Sequence, residues 1–229
     1  MRIIDMITLN KRRYTDIAPQ ETHDKLASRI KSDARIGNRS TDIALAKRFT
    51  KADAPQYITD EEIEVDRNDL IISRADTRGT ITYCNEIFTK MSGWTQEELL
   101  GSNHNLIRHP HMPKATYKII WDNIKAEKEF YGYVKNLCKN GGYYWVFVYI
   151  TADLDKNNKI AGYTSYRRYA PKLAINTIEP IYKLMIEAEK QGDIEASTAL
   201  LEKILSKNGF TSYDQFIFDL QIKANMTLE

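Results

Sequence analysis

The rhythm of hydrophobic and polar positions changes near residue 67 and again near residue 171, which predicts three segments: 1–66, 67–171 and 172–229. Residues 1–66 are weakly periodic. Pro19 can open a helix in which Leu26 and Ile30 share a face, and Ser40 can cap another that turns Ile43, Ala46 and Phe49 inward. Thr59-Asp60-Glu61-Glu62 has the spacing of a capping box. The middle segment reads differently. Leu70–Ser73 predicts a strand, Asp76-Thr77-Arg78-Gly79 a turn, and Thr80–Cys84 the return strand of a hairpin. Short helical pieces follow, broken at Gly93 and Gly101. Pro113 then opens a helix whose Tyr117, Ile120, Trp121 and Ile124 form one apolar stripe.

Three more strands are expected: Gly132–Cys138, Tyr143–Ile150 after the turn Lys139-Asn140-Gly141-Gly142, and Ile160–Tyr169 after the turn around Asp155–Asn158. Two strands, several helices, then three strands joined by hairpins make an α+β domain with a mostly antiparallel sheet and helices on one face. The strand over 143–150 is apolar on both faces, whereas a strand with one wet face alternates. One face is left to the connecting helices. The other needs the terminal helices, a second subunit or a partner. Residues 172–229 predict helices: one opened by Pro180 and ended at Gly192, one capped by Asp193 with Leu200, Leu201, Ile204 and Leu205 on a face, and a last one after Ser212 with Phe216 and Leu220 inward. These helices read equally as an intramolecular bundle or as a docking element.

Composition narrows the classes. Hydrophobic residues make up 42% of 229, enough for a packed core, and no apolar run approaches the ~20 residues of a membrane span. Asp5 falls too early for a signal-peptide core. A soluble cytoplasmic protein without direct membrane insertion is expected. Net charge is +2 but uneven: residues 1–53 carry 12 Lys/Arg against 7 Asp/Glu, and residues 54–69 carry 1 against 6. The basic start lacks the interleaved aromatics of a single-strand binder, so a solvated helical face is expected rather than a nucleic-acid surface. Cys84 and Cys138 have no metal or redox spacing and lie in strand-like sequence, as buried thiols do.

Three of the four histidines fall between Asn103 and Trp121. His104, His109 and His111 are loosely spaced, with no cysteine or paired carboxylate to complete a metal set. No Ser/His/Asp set, Walker loop, dinucleotide fingerprint or kinase block is present, so no enzyme is expected.

The middle block resembles a PAS sensor domain, and more narrowly the FAD-binding PAS module of bacterial aerotaxis (energy-taxis) receptors. Tyr83-Cys84-Asn85-Glu86-Ile87-Phe88, Ser92-Gly93-Trp94 and Glu97–Gly101 are general marks of the fold. His104-Asn105-Leu106-Ile107-Arg108-His109-Pro110, with Val134-Lys135-Asn136 and Tyr144-Trp145-Val146, is more specific. Glu179–Lys183 resembles the family's exit helix, so the likeness runs from about residue 68 to 185.

The resemblance implies a PAS fold: a five-stranded antiparallel sheet with short helices on one face, flanked here by N- and C-terminal helical segments. It implies FAD held noncovalently and redox or oxygen signalling to a membrane-bound chemoreceptor or other signalling protein. Since no span is visible, the chain looks like the separate soluble kind, with a homodimer open. It points to Arg108, His109 and Asn136 as cofactor-binding, with Asn85 at a position important for retention or signalling. Physically, Arg108 suits a phosphate or a carbonyl, Asn136 donates and accepts, and Tyr117 and Trp121 line a ring-shaped pocket. The helix N-terminus after Pro113 favours an anion. Strands carrying Tyr144 and Tyr163 are expected to feel a change at the ring. The family usually has an acidic residue where this chain has His111, which removes a favourable charge near that N-terminus and brings pH sensitivity at the binding site. The aromatic expected near the start of the third strand is Phe130 or Tyr131 rather than Trp.

Other readings stay open. A haem-binding gas sensor needs one axial histidine, which His104, His109 or His111 supplies. A ligand-free PAS interaction module fills its pocket with its own aromatics. The blue-light flavin photoreceptors need a reactive cysteine in the helix before the Arg-His-Pro loop, where this chain has none.

Overall fold

The computed structural model describes residues 49–226. The helices expected after Pro19 and Ser40 lie outside the described residues, apart from Phe49. That side chain packs edge-on against Trp94 with ring centroids 5.4 Å apart.

Five strands form one antiparallel sheet: β1 (Ile71–Asp76), β2 (Ile81–Cys84), β3 (Phe130–Leu137), β4 (Tyr143–Leu154) and β5 (Ile160–Tyr169). Their spatial order is β2-β1-β5-β4-β3, so the first and last strands of the domain pair at its centre. Turn chemistry sets the hairpins. Asp76 Oδ1 accepts from the N–H groups of Arg78 (2.9 Å) and Thr80 (2.8 Å), and Gly79 takes a φ of +83°. Asp155 Oδ1 does the same for Asn157 (2.7 Å) and Lys159 (2.9 Å). Gly162 allows β5 to lie against β1, because a Cβ there would meet the carbonyl oxygen of Ala75.

Between β2 and β3 run α1 (Glu86–Ser92), α2 (Gln96–Leu99), a 3-10 turn (His104–Ile107) and α3 (Lys114–Lys125). Thr95 and Glu98 form a capping box for α2. These pieces cover one sheet face, on which Val146 and Val148 of β4 are buried.

Three helices follow: α4 (Lys172–Gln191), α5 (Ile194–Lys207) and α6 (Tyr213–Met226). They answer the question raised by the two-faced strand. Tyr182 of α4 stacks on Trp145, Phe218 of α6 packs on Tyr131, and the Tyr133 hydroxyl meets Gln221. The Tyr182 hydroxyl also donates to the Tyr133 carbonyl at 2.8 Å, covering part of the edge strand β3. The chain's own C-terminal helices thus bury the β3–β4 part of the second face.

Two local expectations are corrected. Pro180 does not open a helix; it lies inside α4, which starts eight residues earlier at Lys172, after Pro171. Ala174, Ile175, Ile178, Ile181, Tyr182 and Met185 are all buried along one continuous stripe. Five large side chains among them, at ~1.5–3 kcal/mol each, outweigh the ~3 kcal/mol penalty of an interior proline. Thr59–Glu62 forms no capping box. Ile63 N–H donates to the Tyr143 carbonyl (2.8 Å) and Tyr143 N–H to the Glu61 carbonyl (2.9 Å), so the segment is extended against the start of β4. Pairing with a sheet supplies the backbone bonds that a marginal one-turn helix would have made.

Candidate functional site

The α3 stripe faces the sheet across a cavity. From the helix come Tyr117, Ile120, Trp121 and Ile124; from the sheet come Ala75, Val134, Asn136, Val148, Ile150, Tyr163, Ser165 and Arg167. His104, Ile107 and Arg108 close one end and Gly79 lies in its wall. Trp121 meets Tyr163 edge-on at 5.6 Å, and a Cβ on Gly79 would come within 3.3 Å of the indole.

Four of the seven expected site residues meet here: Arg108, Tyr117, Trp121 and Asn136. The Arg108 guanidinium lies 4.0 Å from the centre of the Tyr117 ring. Its backbone bridges that of Asn136, which fixes the loop to β3. Lys51 Nζ donates to the Arg108 carbonyl at 2.5 Å, and burial followed by the Arg108 charge lowers the Lys51 pKa.

The other three lie elsewhere. His109 is buried against Tyr143 and His111, outside the cavity wall, and its Nδ1 accepts the His111 backbone N–H at 3.0 Å. Burial, with Lys135 next in importance, pushes its pKa down to about 3, so it is a neutral brace for the loop. His111 is exposed. Asn85 caps α1: its Oδ1 accepts from Phe88 (3.2 Å) and Ile72 (3.0 Å), and its Nδ2 donates to the Leu70 carbonyl (2.7 Å). That side chain ties α1 to β1.

The sequence reading missed Ser165 and Arg167. Both lie on the cavity face of β5 with Tyr163, at every second position. A Ser and an Arg on the covered face of a central strand were the available signal. His104, a metal or haem candidate by residue type, does something else in the fold. Its Nε2 lies 2.9 Å from Ser73 Oγ and 3.0 Å from Arg167 Nη2. A guanidinium only donates, so Nε2 accepts and the ring is neutral. Burial, reinforced by Arg167, pushes the His104 pKa down to about 3.

The α3 N-terminus was expected to be open to an anion. Glu189 of α4 holds it instead, accepting from Lys114 N–H (3.0 Å) and Ala115 N–H (2.9 Å). The carboxylate that such a terminus favours is therefore supplied by the exit helix rather than by position 111.

The walls suit a flat, polar-edged ring such as flavin. Aromatic and aliphatic side chains dominate, and three buried polar atoms in the lining residues have no hydrogen-bond partner: Asn136 Nδ2, Ser165 Oγ and the Tyr117 hydroxyl. Orphaned buried donors of this kind are costly and call for a ligand or water. The free space is about 100 Å³, below the ~300–1,000 Å³ of most ligand pockets. Entry of a ring system therefore requires side chains such as Trp121, which is only half-buried, to give way. A haem is less well served, because His104, the histidine in the wall, has its Nε2 already held by Ser73 and Arg167. Cys84 and Cys138 are buried free thiols outside the cavity, pushed up to about 11 and 12 mainly by burial.

Residues 81–167 match the family model described as the PAS fold. Over 129 residues the chain is 36% identical to the aerotaxis receptor of Escherichia coli strain K12, covering 56% of this chain and 25% of the receptor. Over 104 residues it is 28% identical to a nitrogen fixation regulatory protein of Klebsiella pneumoniae, covering 45% of this chain and 21% of the regulator. The chain thus spans a quarter or less of these relatives. A crystal structure of a PAS domain from Colwellia psychrerythraea aligns with a TM-score of 0.40 at 19% identity, covering 44% of this chain and 86% of that one. Among the described residues, no helix is long and apolar enough to cross a membrane.

Proposed function

We propose, from the premise that this chain carries a PAS domain similar to that of an aerotaxis receptor, that it is a cytoplasmic sensor holding FAD noncovalently between α3 and the sheet. It reads redox state or oxygen and relays it to a chemoreceptor-type or other signalling protein. The observation that carries this reading is the set of unpartnered buried polar atoms on Asn136, Ser165 and Tyr117, all lining one aromatic cavity. Bound FAD would supply a ring whose charge and hydrogen bonding change on reduction. Asn136 and Ser165 would meet its polar edge, Tyr117 and Trp121 would flank it, and Arg108 would hold a carbonyl or phosphate. His109 and Asn85 act indirectly, one bracing the loop and the other joining α1 to β1.

The path outward runs through α3. The helix that lines the cavity is tied at its N-terminus to Glu189 of α4. A ring that moves Tyr117 or Trp121 therefore shifts the contact between α3 and the C-terminal helices. Such a relay needs the two states to differ in these contacts.

The test is the visible spectrum of the purified protein, before and after incubation with FAD. A flavin band that bleaches on reduction supports the reading. A Soret band assigns haem. A colourless protein that takes up no FAD leaves the second reading, favoured by the narrow free space: an interaction module whose core is complete without a ligand.

A further inference from the structure

We infer that Arg167, resting on the flavin reading above, is the charge partner of the reduced ring and sets the redox poise of the site. Arg167 is 5% exposed and lines the cavity. Among the described residues its contacts are with uncharged groups: Nη1 donates to Ser73 Oγ at 3.1 Å, Nη2 to His104 Nε2 at 3.0 Å, and the guanidinium lies 5.3 Å from the centre of the Phe88 ring. Among the described residues it has no carboxylate within ion-pair distance. Two of its five N–H donors are thus used, and its charge is unmatched.

A buried cation without a counter-charge is expensive to maintain, and proteins keep such groups paired, hydrated or facing a ligand. Burial also pulls this guanidinium down to about 10. The surroundings preserve the charge for use. His104 is fixed as an acceptor, so it orients the guanidinium without adding a second positive charge. Asn136 Nδ2 and Ser165 Oγ add two unpartnered polar groups to the same wall. A cation and two hydrogen-bonding groups suit an acceptor-rich edge that becomes negative. A bound flavin would carry that charge once an external reductant had delivered two electrons and solvent one proton to the neutral oxidised ring. Arg167 favours the charged form over the neutral one.

The experiment uses the full chain reconstituted with FAD, as wild type, Arg167→Met and Arg167→Lys, in a dithionite titration against a reference dye. Arg167→Met is expected to lose at least tenfold in retention of reduced over oxidised flavin, about 30 mV more negative per factor of ten for a two-electron couple. Arg167→Lys keeps most of the wild-type midpoint. The ligand-free Arg167→Met protein is expected to be as stable as wild type or more so, because an unmatched charge has been removed. An unchanged Arg167→Met midpoint overturns the inference while leaving the flavin reading intact. Loss of folding, or equal weakening of both redox forms with a less stable apoprotein, reassigns Arg167 to the core and overturns it too. A wild type that binds no FAD removes both readings together.

Discussion

The carboxylate of Glu189, near the end of α4, accepts the backbone N–H of Ala115, in the first turn of α3, at 2.9 Å, and that of Lys114 at 3.0 Å. One side chain thus caps the helix that lines the cavity from 74 residues away. Caps of this kind are worth ~1 kcal/mol, with a further ~0.3–1 from the helix dipole. Glu189→Ala is expected to lower stability by about 1–2 kcal/mol in urea unfolding, and to speed amide exchange over residues 114–117. Unchanged exchange there would remove Glu189 from any relay.

Position 111 follows from the same cap. His111 is exposed, and the α3 terminus already has its carboxylate. His111→Asp is therefore expected to change flavin content little and stability by less than about 0.5 kcal/mol. A marked gain in FAD occupancy would show that the residue acts on the ligand directly.

Asn136 and Ser165 make a sharper case. Each has a buried polar atom without a partner. If those atoms await a ligand, Asn136→Ala and Ser165→Ala leave the ligand-free protein as stable as before or slightly more so, since an unsatisfied polar group is deleted. The same changes weaken FAD retention about tenfold, the ~1.4 kcal/mol of one hydrogen bond in a dry site. Equilibrium dialysis and thermal unfolding without FAD separate the two effects. Loss of apoprotein stability would mean the groups serve the core.

Acid should loosen the fold well above the carboxylate range. His104 and His109 are both held down to about 3 by burial, the first reinforced by Arg167 and Arg108, the second by Lys135, His111 and Lys51. In the unfolded chain a histidine titrates near ~6.5. The unfolded state therefore binds more protons between these values, so stability is complete above pH ~6.5 and falls as pH drops toward 3. His104 alone contributes a slope of about 1.4 kcal/mol per pH unit, and His109 adds in the same direction. Urea midpoints measured from pH 7.5 to 5.0 check this. His109→Gln should flatten the slope, and a profile that is flat in the wild type would contradict the burial of both rings.

Much of this is legible in the sequence. The turns at Asp76–Gly79 and Asp155–Asn158 advertised themselves through aspartate and glycine or asparagine chemistry, and the α3 stripe through its period. Tyr117, Trp121, Arg108 and Asn136 do meet in one cavity. What stayed hidden depended on pairing across long separations. Thr59–Glu62 has a helix-start pattern, but β4 takes its backbone bonds. Pro180 looks like a helix start, but the apolar stripe runs through it. No local signal says that Glu189 reaches Ala115, or that Arg167 stands on the cavity wall without a carboxylate. Adjacent histidines also misled: His104 faces the cavity while His109 and His111 do not, because the 3-10 turn and the Pro110 loop separate them.

The last prediction concerns an asymmetry between Lys135 and Glu179, which join β3 to α4 at 3.6 Å. The lysine side chain is 7% exposed, with its ammonium 3.7 Å from the Tyr143 ring centre and 5.9 Å from that of Trp145, whereas the Glu179 side chain is 32% exposed and also meets Lys183 at 3.5 Å. Burial, partly offset by Glu179, lowers the Lys135 pKa. Removing the glutamate leaves a buried charge supported by ring faces and the weaker pull of Glu62. Removing the lysine leaves a half-buried carboxylate that keeps Lys183. Deleting one partner of a buried pair is costly mainly for the charge left behind, and replacing a buried ion with an apolar group is often neutral. Glu179→Ala is therefore expected to destabilise by about 1–3 kcal/mol, and Lys135→Met by less than 1. The double variant should be close to Lys135→Met alone, because with the lysine gone the glutamate has no buried charge to satisfy. Urea unfolding of the three proteins decides the matter. Equal costs for the two single variants would mean that packing against Tyr143 and Trp145, rather than charge, holds β3 to α4 at this point.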